Sequence, residues 1–236
     1  MKKIIVVISL IFIVNNINAQ KRDIVKYKQN WDKQTVFWGY FLGINQKDYK
    51  ITYQYNGTFI NVTPSMGFEV GLIGDLRLHK NLSLRIEPGL SSNTKELAFT
   101  NINGGAKDSI RDVNATYLRI PLLLKFSTDR LNNFRPYLIG GVGYDYNFSS
   151  NQDNPDDNRQ GEFRMKKNNF TYEIGAGVDF YLPYFIFSPS IRGVFAINNE
   201  LVRDTDSQGN IDSSSPWTGN VDYFGTRGIF IKLAFH

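Results

Sequence analysis

Cysteine is absent from all 236 residues, which excludes disulfides, thiolate metal centres and the lipidated cysteine of a lipoprotein anchor. Histidine occurs only at His79 and His236. Two histidines without cysteine do not suggest a catalytic zinc site, and neither has a serine and a carboxylate placed near it in the strand pattern. The chain therefore reads as a non-enzyme, with no catalytic residue, no metal ligand and no cofactor. After Ala19 no apolar run of about 18 residues occurs, so no membrane-spanning helix is expected. A surplus of one charge is also missing from most of the chain. The net charge is +5, but Lys2 and Lys3 stand at the very start, and residues 20–35 set Lys21, Arg22, Lys26, Lys28 and Lys33 against Asp23 and Asp32. Residues 36–236 are balanced at 20 against 20. A basic tail on a neutral body is not the footprint of a nucleic-acid partner.

What is present begins with an export signal. Residues 1–19 combine Lys2 and Lys3, an apolar stretch from Ile4 to Val14, and the small Ala19 before Gln20. That is the pattern of a secretory signal peptide. Residues 20–35 then read as a basic periplasmic segment lying against or below the body of the protein. Residues 36–236, which show no linker, read as one domain.

Period-2 alternation dominates that domain. In residues 115–126, Leu118, Ile120, Leu122, Leu124 and Phe126 form one greasy face, while Arg119 and Lys125 lie on the other. The same alternation marks strands at 36–45, 66–78, 82–92, 134–148, 169–181, 185–197 and 220–236. Long polar segments at 46–65, 93–114, 149–168 and 198–219 alternate with short turns at 79–81, 127–133 and 182–184. Eight strands with strictly alternating loop lengths predict an all-β fold. It is an eight-stranded antiparallel up-and-down transmembrane barrel with short periplasmic turns and long extracellular loops, placed in the cell outer membrane. Trp38, Tyr40, Tyr144, Tyr146, Tyr172, Phe180, Phe185 and Phe187 are candidates for its aromatic girdles, and Pro88 marks an expected bulge. Phe235 resembles the terminal aromatic of outer-membrane barrels, although His236 follows it. Inward glycines such as Gly39 and Gly43 leave room for bulky side chains.

The polar face carries the candidate functional residues. Arg77, Arg85, Arg119, Lys125, Arg135, Arg192 and Lys232 point inward with Glu69, Asp75, Glu87, Asp145, Glu173 and Asp179. Side chains about fill the interior of an eight-stranded barrel, so these charges are expected to pair into a buried plug. Two acidic loop clusters offer oxygens of the kind calcium takes: Asp153, Asp156 and Asp157, and Asp204, Asp206 and Asp212 with Gly209. Ser215 stands where an EF-hand would need its glutamate. Both clusters read as solvated loops.

The stretches FWGYFLGIN followed by Asp48 and Tyr49, YLRIPLLLKFSTDR and NNFRPYLIGG resemble the PorT (SprT) family of Bacteroidetes, over essentially the whole mature chain. That resemblance implies a non-catalytic outer-membrane barrel serving type IX protein secretion and gliding motility, with other secretion components as partners beside outer-membrane lipid. The alternatives are a free-standing barrel for adhesion or envelope stability, and a narrow solute channel. The sequence leaves the oligomeric state open.

Overall fold

A computed structural model describes residues 25–236 except 29, 32–33, 56–58, 101, 103–108, 154–162 and 207. The expected signal peptide at 1–19 lies outside the described residues.

The described residues form ten strands: β1 Val36–Tyr53, β2 Ile60–Pro64, β3 Met66–His79, β4 Leu82–Ile86, β5 Gly89–Phe99, β6 Ile110–Ser127, β7 Phe134–Asn147, β8 Asn168–Tyr181, β9 Ile186–Ala196 and β10 Val221–Phe235. β2 runs on into β3 across Ser65, and β4 into β5 across Glu87 and Pro88, so ten strands make eight staves. All pairings are antiparallel, in the order β1-β10-β9-β8-β7-β6-β4-β3, and β3 pairs with β1 to close the ring. The fold is the expected eight-stranded barrel. Among the described residues no helix is long and apolar enough to cross a membrane.

Proline explains the break in the third stave. It donates no N–H to a ladder, and at Pro88 the regular pairing lapses: Glu87 N–H reaches Pro121 O at 3.3 Å, and Pro88 O accepts Leu72 N–H at 2.9 Å. The flanking Gly89 and the facing Gly71 carry no side chain because the Phe41 ring occupies that space. A Cβ on them would stand 2.9 and 2.7 Å from its atoms. The room that inward glycines provide is used here by a phenylalanine from β1.

Outward residues form an apolar belt that includes Leu42, Ile44, Leu72, Leu122, Leu124, Leu138, Val142, Ile174, Ile191, Ile229, Ile231 and Leu233, all exposed. Exposed apolar surface of this extent suits lipid, not water. Aromatic contacts ring both margins. Phe235 lies 5.3 Å from Tyr40 and 5.4 Å from Phe187 at the turn end; Tyr144–Phe170 at 5.6 Å and Tyr172–Phe195 at 5.1 Å mark the loop end.

Two expected loops are strands instead. Residues 46–53 extend β1, and residues 93–99 and 110–114 extend β5 and β6 in register, Lys95 opposite Val113 and Leu97 opposite Arg111. Of the polar segments expected at 46–65 and 93–114, residues 46–53, 60–64, 93–99 and 110–114 lie in strands. Above the belt the outer face meets water, so the polarity inverts. Asp48, Lys50, Thr94, Glu96, Asp112 and Asn114 point out, while Tyr49, Leu97 and Phe99 are buried within. Pairing continues although the greasy outer face ends.

Candidate functional site

Side chains from six positions around the barrel close a ring of alternating charge inside the lumen. Arg119 (β6) meets Glu69 (β3) at 3.2 Å, Glu69 meets Lys232 (β10) at 3.3 Å, and Lys232 meets Glu87 at 3.1 Å. Glu87 meets Arg192 (β9) at 2.7 Å, Arg192 meets Glu173 (β8) at 3.7 Å, and Glu173 returns to Arg119 at 2.5 Å. All six are essentially inaccessible to solvent. Asp145 (β7) accepts from Arg119 Nε at 3.2 Å, and the Arg119 guanidinium also lies 4.5 Å from the Phe230 ring. Breaking such a network by removing one member costs about 3–5 kcal/mol, because it leaves an uncompensated buried charge.

A second tier lies toward the turns. Arg85 donates to Asp75 from two nitrogens, at 2.8 and 2.7 Å, and touches Glu87 at 3.6 Å. Lys125 meets Asp179 at 2.6 Å, and Asp179 also accepts from Ser188 Oγ at 2.5 Å. Arg77 and Arg135 stand lower still, at the mouth. Arg77 lies 4.9 Å from the Phe37 ring and Arg135 5.7 Å from Tyr181. Both line one hollow with Asp75, Arg85, Lys125 and Asp179.

The N-terminal segment closes this mouth. Trp31 stacks on Phe37 with ring centroids 4.6 Å apart and lies 6.2 Å from the His236 ring. Farther back, Tyr27 N–H donates to Asn133 Oδ1 at 3.0 Å, Asn133 Nδ2 donates to Val25 O at 2.8 Å, and Arg130 donates to Tyr27 O. His236 is half-buried, and neither ring nitrogen has a hydrogen-bond partner among the described residues.

Sequence reasoning missed the loop end. Tyr49, Ile60, Leu97, Phe99, Phe163, Met165, Leu201, Val221 and Phe224 form the largest apolar core. Two loops supply part of it: Met165 bridges Leu201, Lys166 N–H donates to Glu200 O at 2.7 Å, and Phe163 lies 5.4 Å from Phe224. The described parts of these loops, with Phe163, Met165 and Leu201, fold down as a lid over the lumen. Between lid and ring sit two buried lysines with no carboxylate of the described residues at contact distance. Lys95 Nζ lies 3.9 Å from the Tyr49 ring, and Lys47 Nζ 4.4 Å from Tyr117. Burial, with Lys47 nearby, lowers Lys95 to a pKa of about 7; burial and the Arg119 charge lower Lys47 to about 8. Burial raises Glu200, whose carboxylate accepts from Thr226 Oγ1 at 2.7 Å. The inverted alternation through Lys47, Tyr49, Lys95 and Leu97 is the signal by which they were findable.

The acidic loops serve their own backbone. Asp206 accepts N–H groups of Gln208 and Asn210 at 2.9 and 2.8 Å, Asp212 accepts that of Ser214 at 2.9 Å, and Asp204 is buried against Ser215. Asp156 and Asp157 lie outside the described residues. Among the described residues no three His, Asp or Glu side chains are grouped to hold a metal ion.

Residues 18–202 match the family model described as outer membrane protein beta-barrel domain. Among curated proteins none matches the chain in sequence. Among solved structures it is similar to the outer membrane protein OprG of Pseudomonas aeruginosa at 13% identity and a TM-score of 0.50, over 85% of this chain and 95% of that one. It is also similar to Ail, the attachment invasion locus protein of Yersinia pestis, solved with a heparin analogue. There the identity is 14% and the TM-score 0.40, over 86% and 98% of the two chains. A third similar structure is the outer membrane enzyme PagL, at 14% identity and a TM-score of 0.37, over 81% and 97%.

Proposed function

Because this chain belongs to the outer membrane protein beta-barrel domain family, we propose that it is a non-catalytic accessory barrel of type IX protein secretion that acts through its surfaces. In this reading residues 1–19 direct export, and residues 20–35 remain in the periplasm. The observation that carries it is the closed charge ring under an apolar lid, which leaves no path for a polypeptide through the lumen. A barrel that secretion needs, but that cannot pass cargo, must work by contact with larger components. The stretches that resemble PorT support the same reading. RIPLLLKF contributes Arg119 and Lys125 to the lumen and Leu122, Leu124 and Phe126 to the belt.

Deleting the gene should leave type IX cargo in the periplasm while the other secretion components persist. Normal secretion in that strain overturns the proposal. Crosslinking from native outer membrane should then identify the partner.

One observation favours a second reading. The staves rise above the belt and carry a folded lid, a rigid platform suited to adhesion. A free-standing adhesive or envelope-stabilising barrel predicts intact secretion with altered surface binding. The sealed lumen argues against a solute channel. Conductance in planar bilayers that changes on replacing Arg119 or Arg192 would reverse that judgement.

A further inference from the structure

Above the membrane belt the ring of ladders forks. β1 and β3 pair from Val36–Leu76 to Gln46–Met66; beyond that point β1 continues on β10 and β2 on β5. Among the described residues no ladder pair joins β1 to β2. Two features end the pairing. The register against β5 shifts by one residue between Phe68–Ser92 and Pro64–Lys95, which turns the strand at Ser65, and Pro64 has no N–H to give.

The edges that face the fork follow from parity, because the backbone groups of successive residues in a strand turn to opposite sides. Arg77 N–H donates to Thr35 O at 2.8 Å, so odd-numbered residues of β1 face away from β10, and Tyr49 and Ile51 present their backbone to the fork. Thr100 N–H donates to Phe59 O at 2.9 Å, so odd-numbered residues of β2 face β5, and Ile60 and Val62 present theirs to the fork. Side chains stand in for missing ladder partners. Asp48 Oδ1 accepts Tyr49 N–H at 2.7 Å, and Tyr53 Oη accepts Ile60 N–H at 2.8 Å. Between the edges lies a cleft of about 330 Å³, lined by residues 48–51, 53 and 60–62 with Arg227.

We propose that this fork receives an extended segment of a partner polypeptide as an added strand. The edges identify the occupant, since N–H and C=O groups at strand spacing match another peptide backbone, whereas a lipid tail has no donor or acceptor to return. On the inner side Tyr49 and Ile60 belong to the lid core, with Ile51 and Val62 packed against it; on the outer side Lys50 and Asn61 are exposed. The guest is therefore apolar at every second residue and polar between. The longer loops of such barrels are extracellular, so the partner arrives from outside the cell. Such a site needs no role in secretion.

The probe is a short fluorescent peptide that alternates valine with serine or glutamate and carries a central benzoylphenylalanine, added to the mature protein in detergent micelles. It should bind and, on irradiation, crosslink within residues 47–53 or 60–64. The same peptide with alternate amides N-methylated keeps its side chains but cannot pair, and should not bind. Tyr53→Phe keeps the ring beside Phe59, 5.0 Å away, but frees Ile60 N–H. It should tighten binding about fivefold, the worth of one hydrogen bond no longer displaced. Ile51→Pro removes an N–H that faces the fork and spares the ladder to β10. It should weaken binding by about the same factor, with the fold intact by gel heat-modifiability. No binding, crosslinks confined to the apolar belt, equal binding of the N-methylated peptide, or unchanged affinity in either folded variant overturns the proposal. So does a crosslinked dimer of this chain that excludes the peptide.

Discussion

Arg192 grips Glu87 with both terminal guanidinium nitrogens, at 2.7 and 2.8 Å, and Glu87 is the residue at which the third stave breaks. The two features are linked. Pro88 ends the regular ladder, which frees Glu87 to reach across the lumen, where it also meets Lys232 and Arg85. Three cations therefore converge on one carboxylate. Glu87→Gln should destabilise the barrel by about 3–5 kcal/mol, since neutralising one member leaves buried charges unmatched. The check is the urea midpoint in lipid vesicles. Adding Arg192→Met to Glu87→Gln should cost less than the sum of the two single changes, because the partners are in contact. Strict additivity would mean that the pair does not act as a unit.

The lid should open independently of the ring. Leu97 is fully buried among Tyr49, Phe99 and Phe224, and Leu97→Ala should remove about 2–5 kcal/mol by leaving a cavity. That loss falls above the membrane belt. Limited proteolysis within residues 197–220 should accelerate, while the unfolding midpoint of the membrane-embedded part stays near that of the parent. A fall in both together would mean that lid and barrel unfold as one.

Lys95 gives the lid a pH dependence of defined sign. Burial lowers its pKa from 10.5 to about 7. Below about pH 7 closed and open lids both hold the proton, and the closed form bears the whole penalty of a buried charge. As pH rises from 7 toward 10.5 the closed form gives up its proton first, so closure gains stability. Lys47 adds the same trend between about 8 and 10.5. Hydrogen exchange in the lid, corrected for intrinsic rate, should show stronger protection at pH 9 than at pH 6.5. Lys95→Met should shrink that difference and leave the contribution of Lys47. An identical difference in Lys95→Met would assign the effect elsewhere.

The barrel was legible because lipid imposes a strict code. From Leu118 to Phe126 every second residue is apolar, and Arg119 and Lys125 between them can only face inward. The identities of the ring members followed from the same parity. Their pairing did not, since Arg119 and Glu173 sit on non-adjacent staves and meet only once the sheet has closed. The extensions at 46–53 and 93–99 were hidden for a related reason. Above the lipid the code reverses, with Asp48 and Lys50 outside and Tyr49 and Ile51 within, and a search for a greasy outer face reads such residues as loop. The lid was least legible, because Met165 and Leu201 lie in polar stretches and become core only by folding back over the opening.

The N-terminal segment is held at two points that can be separated by mutation. Asn133 exchanges hydrogen bonds with Val25 and Tyr27 at 2.8 and 3.0 Å, and Trp31 stacks on Phe37 at 4.6 Å. The first anchor is exposed and modest, about 0.5–1.5 kcal/mol per hydrogen bond; the stacked pair adds about 0.5–1.5 kcal/mol beyond its buried area. Asn133→Ala and Trp31→Ala should each speed tryptic cleavage after Lys26 and Lys28, the double change most of all, with the barrel still folded on a cold gel. Equal cleavage in all four proteins would show that the segment is not held against the turns. If the periplasmic side carries the secretion contact, Trp31→Ala should lower cargo export where the lid change Leu97→Ala does not. The reverse pattern would move the contact to the outer face.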